Sequence, residues 1–167
     1  MLIAAMNPCP CGYLNDPKRN CTCSSGAIMK YAGKLSGPLM DRIDIQLNVK
    51  SVSPEEIVGL GQTAEEPSRE IAKRVKAARD IQLERFKKEN FYTNAQIPPG
   101  KLAKYCRIGN KEQLFLKKFI ARQGISARGY SRILKISRTI ADLDGKDFIS
   151  LEHISKAVQL KLDINGF

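Results

Sequence analysis

The chain has 167 residues, 43% of them apolar, and a formal net charge of +11. That length suits one core-bearing domain, or one domain with part of another, and no run approaches the 18 apolar residues that a membrane-spanning helix requires. The charge is concentrated: residues 67–138 hold 19 Lys and Arg against 5 Asp and Glu, while both flanks are slightly acidic. Such a block points to a polyanionic partner, nucleic acid or nucleotide phosphate, with a merely solvated basic face as the alternative.

Leu2-Ile3-Ala4-Ala5-Met6 is too short and too unbroken for an amphipathic helix and reads as a buried strand ending at Asn7-Pro8. No charged segment followed by a long apolar stretch opens the chain, so a reducing, cytoplasmic setting is expected. Residues 9–23 are turn-rich and carry four cysteines as C-x-C-x9-C-x-C. Zinc favours four thiolate or imidazole ligands in a tetrahedron, so Cys9, Cys11, Cys21 and Cys23 form a candidate structural site. C-x-C is a looser match than the usual C-x2-C. Unligated thiols in a proline-shaped loop, or redox pairing, are the other readings.

Residues 24–35 suit a short helix ending before Ser36-Gly37-Pro38, and the alternation of Ile43, Ile45, Leu47 and Val49 marks a half-buried strand over 43–49. Ser53-Pro54-Glu55-Glu56 has the form of a helix start, and residues 59–67 that of a linker. Beyond it the chain reads as helical. A basic helix fits 68–88 with Ile71, Val75 and Ala78 on its apolar stripe. Shorter helices fit 100–106 and 110–123, the second capped by Asn110 and ended by Gly124. Ser126 opens the clearest amphipath, with Tyr130, Ile133, Leu134, Ile140, Ala141 and Leu143 at helical spacing, and Ser150 caps a last helix reaching about Leu162. Cys106 falls inside a helical pattern and reads as a small core residue, and His153 as a helix residue rather than a ligand.

Three stretches, "AAMNPCPCGY" (4–13), "YAGKLSGPLMDRIDIQLNV" (31–49) and "ISARGYSRILKISRTIADLDG" (125–145), resemble the magnesium-chelatase-like AAA+ ATPases of bacteria, specifically the competence-associated ComM/YifB type. "YTNAQIP" (92–98) is similar to a segment of the same family, and the likeness covers nearly the whole chain. It implies a mainly α fold: a C-terminal helical lid bundle preceded by a small strand-containing remnant of the ATPase core with its Cys-rich loop. The implied division is residues 1–60 for the end of the core and 61–167 for the helical domain.

The resemblance also assigns roles. Asn7, where an apolar strand ends, matches sensor 1; Arg42 in "GPLMDRID" matches the arginine finger; Arg128 in "SAR" matches sensor 2. These are the kinds of group phosphoryl transfer uses, since a permanently charged planar guanidinium suits the charge that develops there. Each has a plainer reading: a turn former for Asn7, a salt bridge to Asp41 or Asp44 for Arg42, a solvent-facing charge for Arg128.

A P-loop needs G-x-x-x-x-G-K-[ST], whereas here Ile28 precedes Gly33-Lys34 where the first Gly belongs and Leu35 follows where Ser or Thr belongs. No strand ends in an acidic Walker B pair either. The chain therefore resembles the C-terminal portion of a longer ATPase and by itself is expected not to hydrolyse ATP. Implied cofactors are ATP and Mg2+ in the longer protein and a structural Zn2+. Implied partners are the N-terminal AAA+ core, neighbouring subunits of a ring (a hexamer) and DNA, on which the ring acts in branch migration, recombination or competence; no membrane is implied. Two other functions compete: a stand-alone zinc-stabilised helical module that binds nucleic acid, and magnesium insertion into a tetrapyrrole.

Overall fold

A computed structural model describes residues 2–49, 52, 58 and 66–162. They divide into two compact units, a front unit within residues 1–61 and a helical unit within residues 62–162. The helix start expected at 53–56 and most of the linker at 59–67 lie outside the described residues.

In the front unit, helix α1 (Ser25–Ala32) begins at Ser24, whose hydroxyl accepts the Ala27 N–H at 3.3 Å, and ends where the Gly33 N–H meets the Met29 carbonyl. Helix α2 (Gly37–Met40) is a single turn started the same way by Ser36, with Pro38 in its first turn. Neither helix buries a residue fully. The strands expected at 2–6 and 43–49 are not formed: among the described residues there is no strand. A strand exists only when a neighbour takes up its N–H and C=O groups, and among the described residues no such neighbour accompanies these two segments. The alternation at 43–49 is even inverted. Gln46 is buried and donates to the Met40 carbonyl at 3.3 Å, while Ile45, Leu47 and Val49 face outward.

The helical unit runs α3 (Ser68–Phe86), two 3-10 turns (Asn94–Gln96 and Pro99–Lys101), α4 (Leu102–Tyr105), α5 (Asn110–Gln123), α6 (Ala127–Leu143) and α7 (Leu151–Leu162). Helix α6 is its centre, packed against α7, α3, α4 and the first 3-10 turn, while α7 also meets α5. Ile133, Leu134 and Ala141 of α6 are buried with Ile154, Ala157 and Val158 of α7, Leu116 of α5, and Phe86, Phe91, Ile97, Leu102 and Cys106. Leu143, at the end of the same helix, is half exposed. Phe86, Phe91 and Tyr105 meet at tilted and edge-on angles with centroids 4.8–6.0 Å apart, the arrangement ring quadrupoles favour.

The helix ends follow local chemistry. Gly124 stops α5 in the left-handed region at φ +63°, where a Cβ would be strained. Ser126 starts α6 by accepting the Gly129 N–H at 3.1 Å. Gly145, also at φ +63°, closes α6 as Lys146 N–H bonds the Ala141 carbonyl and Gly145 N–H that of Asp142, a Schellman pattern. Ser150 and His153 cap α7 reciprocally, the Ser150 N–H donating to His153 Nδ1 at 3.0 Å. Two expectations are corrected. Gly109, not Asn110, occupies the extended position before α5 (φ −78°, ψ 176°), and Asn110 is its first helical residue. On α3 the apolar stripe packs only in its second half: Ala78, Gln82 and Phe86 are buried, whereas Ile71 and Val75 stay 43% and 49% exposed. Gln82 accepts the Asn94 N–H and Phe86 meets the aromatic cluster, which gives that half its packing partners.

Candidate functional site

The cysteine loop folds back on itself through short-range hydrogen bonds. Gly12, at φ +85°, closes a turn by donating to the Cys9 carbonyl at 3.0 Å. Asp16 N–H bonds the Tyr13 carbonyl across a turn whose Asn15 sits at φ +61°, a conformation Asn tolerates. The Asp16 carboxylate then accepts the N–H groups of Lys18 and Arg19 at 2.7 and 3.0 Å. Arg19 reaches back over the Tyr13 ring and donates to its hydroxyl. The second Cys pair is thereby returned to the first.

The result is a compact group of four sulfurs, all within 4.8 Å of one another. Cys9 to Cys11, Cys9 to Cys21 and Cys11 to Cys21 are 3.4, 3.7 and 3.5 Å apart. A disulfide needs about 2.05 Å, and all four thiols are free. A tetrahedron with zinc–sulfur bonds of about 2.3 Å has edges of about 3.8 Å, which the separations among Cys9, Cys11 and Cys21 approach. Cys9 is fully buried and the other three half-buried.

The thiols differ sharply in acidity. Backbone N–H groups of Tyr13 and Thr22 point at Cys11 and, with the Cys9 and Cys23 thiols, outweigh burial and bring it down to about 5. Cys23 receives the Cys11 N–H, yet burial and its three sulfur neighbours push it up to about 12. Cys21 is also raised: the Cys23 N–H is outweighed by burial and by the Cys11 and Cys9 thiols. Amide donors aimed at sulfur favour thiolate, and at Cys11 alone of these three they prevail over burial.

Asn7, immediately before this loop, is exposed; a side chain added at Gly12 would approach its amide at 3.8 Å. Arg42, just after α2, is exposed and donates Nη1 to the Pro38 carbonyl at 2.7 Å. Arg128 stands exposed in the first turn of α6 and makes no hydrogen bond or ion pair among the described residues. Asn7 and Arg42 belong to the front unit and Arg128 to the helical one.

Arg138, on the same helix as Arg128, is committed elsewhere. It is buried, its Nε 3.1 Å from Asp142, and it donates to the carbonyls of Lys146 and Asp147. Asp142 also receives Arg85 and, at 2.7 Å, the Asn94 amide, which donates to Thr139 as well. Every buried side-chain polar atom among the described residues has a partner. This network was missed in sequence. The Arg138–Asp142 spacing of four could have signalled one pair; the Arg85–Asp142 pair joins residues 57 apart and leaves no local trace.

Comparison with known proteins gives a consistent picture. The family described as magnesium chelatase, subunit ChlI C-terminal, matches residues 65–161, and magnesium chelatase, subunit ChlI, matches residues 1–57. The competence protein ComM of Haemophilus influenzae is 36% identical over 157 residues, 94% of this chain and 30% of that protein. The uncharacterized YifB proteins of Escherichia coli and Salmonella typhimurium are 33% and 35% identical over 160 residues, 96% of this chain and 30% of theirs. The chain thus spans about 30% of the length of these curated relatives.

Proposed function

The chain belongs to the magnesium chelatase ChlI family, and we propose that it is the C-terminal part of an AAA+ ring ATPase that acts on DNA. In this reading Asn7 orients the attacking water as sensor 1, Arg42 is the arginine finger offered to a neighbouring subunit, and Arg128 is sensor 2. The observation that carries it is the state of the two arginines. Among the described residues Arg128 has no partner in the first turn of a capped helix, and Arg42 is steadied by a single carbonyl. Each retains its charge for a phosphate, as phosphoryl transfer requires. ATP and Mg2+ belong to the nucleotide core this chain lacks, so residues 1–60 complete that core and residues 61–167 form its lid.

DNA as substrate rests on the basic block, on the competence protein among the relatives, and on the need of phosphate contacts for Lys and Arg. Cys9, Cys11, Cys21 and Cys23 hold a structural zinc ion, which supplies a cross-link for the loop. The test is ATP turnover, with and without DNA, by this chain joined to the nucleotide core of its own polypeptide. Arg42→Ala is expected to lower kcat about 1,000-fold or more while leaving nucleotide affinity intact. Unchanged turnover would refute the finger role. DNA binding equally strong without any core, and indifferent to ATP, would favour the stand-alone module.

A further inference from the structure

The helical unit carries an aromatic and cationic surface that phosphoryl transfer leaves unused. Phe148 stands 77% exposed in the turn between α6 and α7. The turn itself is held: Arg138 bonds the carbonyls of Lys146 and Asp147 before the ring, and Ile149 is buried after it. The ring is therefore an apolar face turned to water from a backbone that is tied down on both sides. It borders two concavities. One, of about 250 Å³, is lined by Arg85, Lys104, Arg107 and Arg138 with Asp147; the other, of about 760 Å³, sets Lys146 beside Asp144, Asp147 and Glu152. Neither Arg107 nor the Lys146 ammonium has a hydrogen bond or ion pair among the described residues. The paired groups nearby add to the positive field, because Asp142 is shared by Arg85 and Arg138, and Glu89 by Lys101 and Lys104. The cationic side is therefore that of Arg107; Asp147 borders both concavities and Asp144 and Glu152 line the second, acceptors suited to base amino groups.

We propose that Phe148, flanked by Arg107 and Lys146, is a seat for a single nucleic-acid strand, the ring stacking on one base and the two cations meeting neighbouring phosphates. A stacking plate requires a base face that a duplex keeps covered, so the site selects single strands. The choice of ligand rests on the DNA reading above; the location rests on Phe148 and its cations alone.

Fluorescence anisotropy of the 167-residue chain with a labelled 20-nucleotide single strand, and with the matching duplex, tests it. Phe148→Ala is expected to weaken strand binding about tenfold and to leave duplex binding unchanged, while Phe148→Tyr stays near wild type. Arg107→Gln should lower the slope of log affinity against log salt by about 0.7, and more than Lys118→Gln, which removes an exposed charge from α5. Phe148 is exposed, so equal melting temperatures are expected. Strand binding untouched by Phe148→Ala overturns the site and leaves the DNA reading standing. Failure of the wild-type chain to bind either DNA at low salt removes both. Displacement of the strand by AMP at equal nucleotide concentration would make this a mononucleotide pocket and overturn the strand proposal.

Discussion

The two units are held together by different physics. In the helical unit, the residues that must be buried find one another: aromatics from α3 and α4, aliphatics from α5, α6 and α7, and a fully paired polar network around Asp142. In the front unit, α1 and α2 bury nothing fully, and Leu2, Ile3 and Val49 stay 74%, 82% and 87% exposed. Its order comes from serine caps, glycine turns and four converging sulfurs. A sequence carrying all of its partners makes a core, and one carrying some of them makes only local structure.

The largest effect that would sharpen this contrast is removal of the thiol cluster. Wild-type chain purified without chelator should carry roughly one zinc per molecule, and Cys9→Ser should carry essentially none. Hydrogen-exchange protection across residues 9–23 should then vanish while melting of the helical unit is unaltered. Metal analysis that finds no zinc in the wild type would leave the loop dependent on its turns alone. Next in size is Asp142→Ala, which strands the buried Arg138 guanidinium and the partly buried one of Arg85 and should cost the helical unit about 3–5 kcal/mol in urea unfolding. Loss below about 1 kcal/mol would mean that Arg85 and Arg138 find water once freed.

Smaller still, Ser126→Ala removes the α6 cap and should cost about 1 kcal/mol by the same measurement. The mildest effect concerns acid. Lys101, then Tyr105 and Lys104, outweigh burial and hold the Glu89 carboxyl down to about 2. A carboxylate with a depressed folded value stabilises fully above its unfolded pKa, and that contribution is lost as pH falls through the folded value. Helical-unit stability should therefore decline between about pH 4.5 and pH 2, and Glu89→Gln should flatten that part of the profile.

How much was legible in sequence divides along the same line. Ser126, Gly124 and Ser150 mark helix ends by chemistry confined to a few residues, and α3 begins at the expected residue 68 and ends two residues before 88. The cysteine spacing likewise announces itself, because the turns that unite the pairs lie between them. Residues 2–6 and 43–49 were misread because a strand is defined by a neighbour, and none accompanies them among the described residues. Ile71 and Val75 show the same limit: periodicity identifies an apolar face but not how far along a helix its partner extends. Phe148 gave no pattern at all, since exposure of one ring depends on how the turn between α6 and α7 is tied down.

The most direct test of the ATPase role is complementation between subunits. Arg42→Ala protein, carrying its nucleotide core, would be mixed with subunits whose own nucleotide core is disabled but whose Arg42 is intact. Partial recovery of DNA-stimulated ATP turnover in the mixture is expected, because an intact guanidinium is then offered across the subunit boundary. Turnover no greater than the sum of the two separate proteins would contradict a finger supplied by this chain.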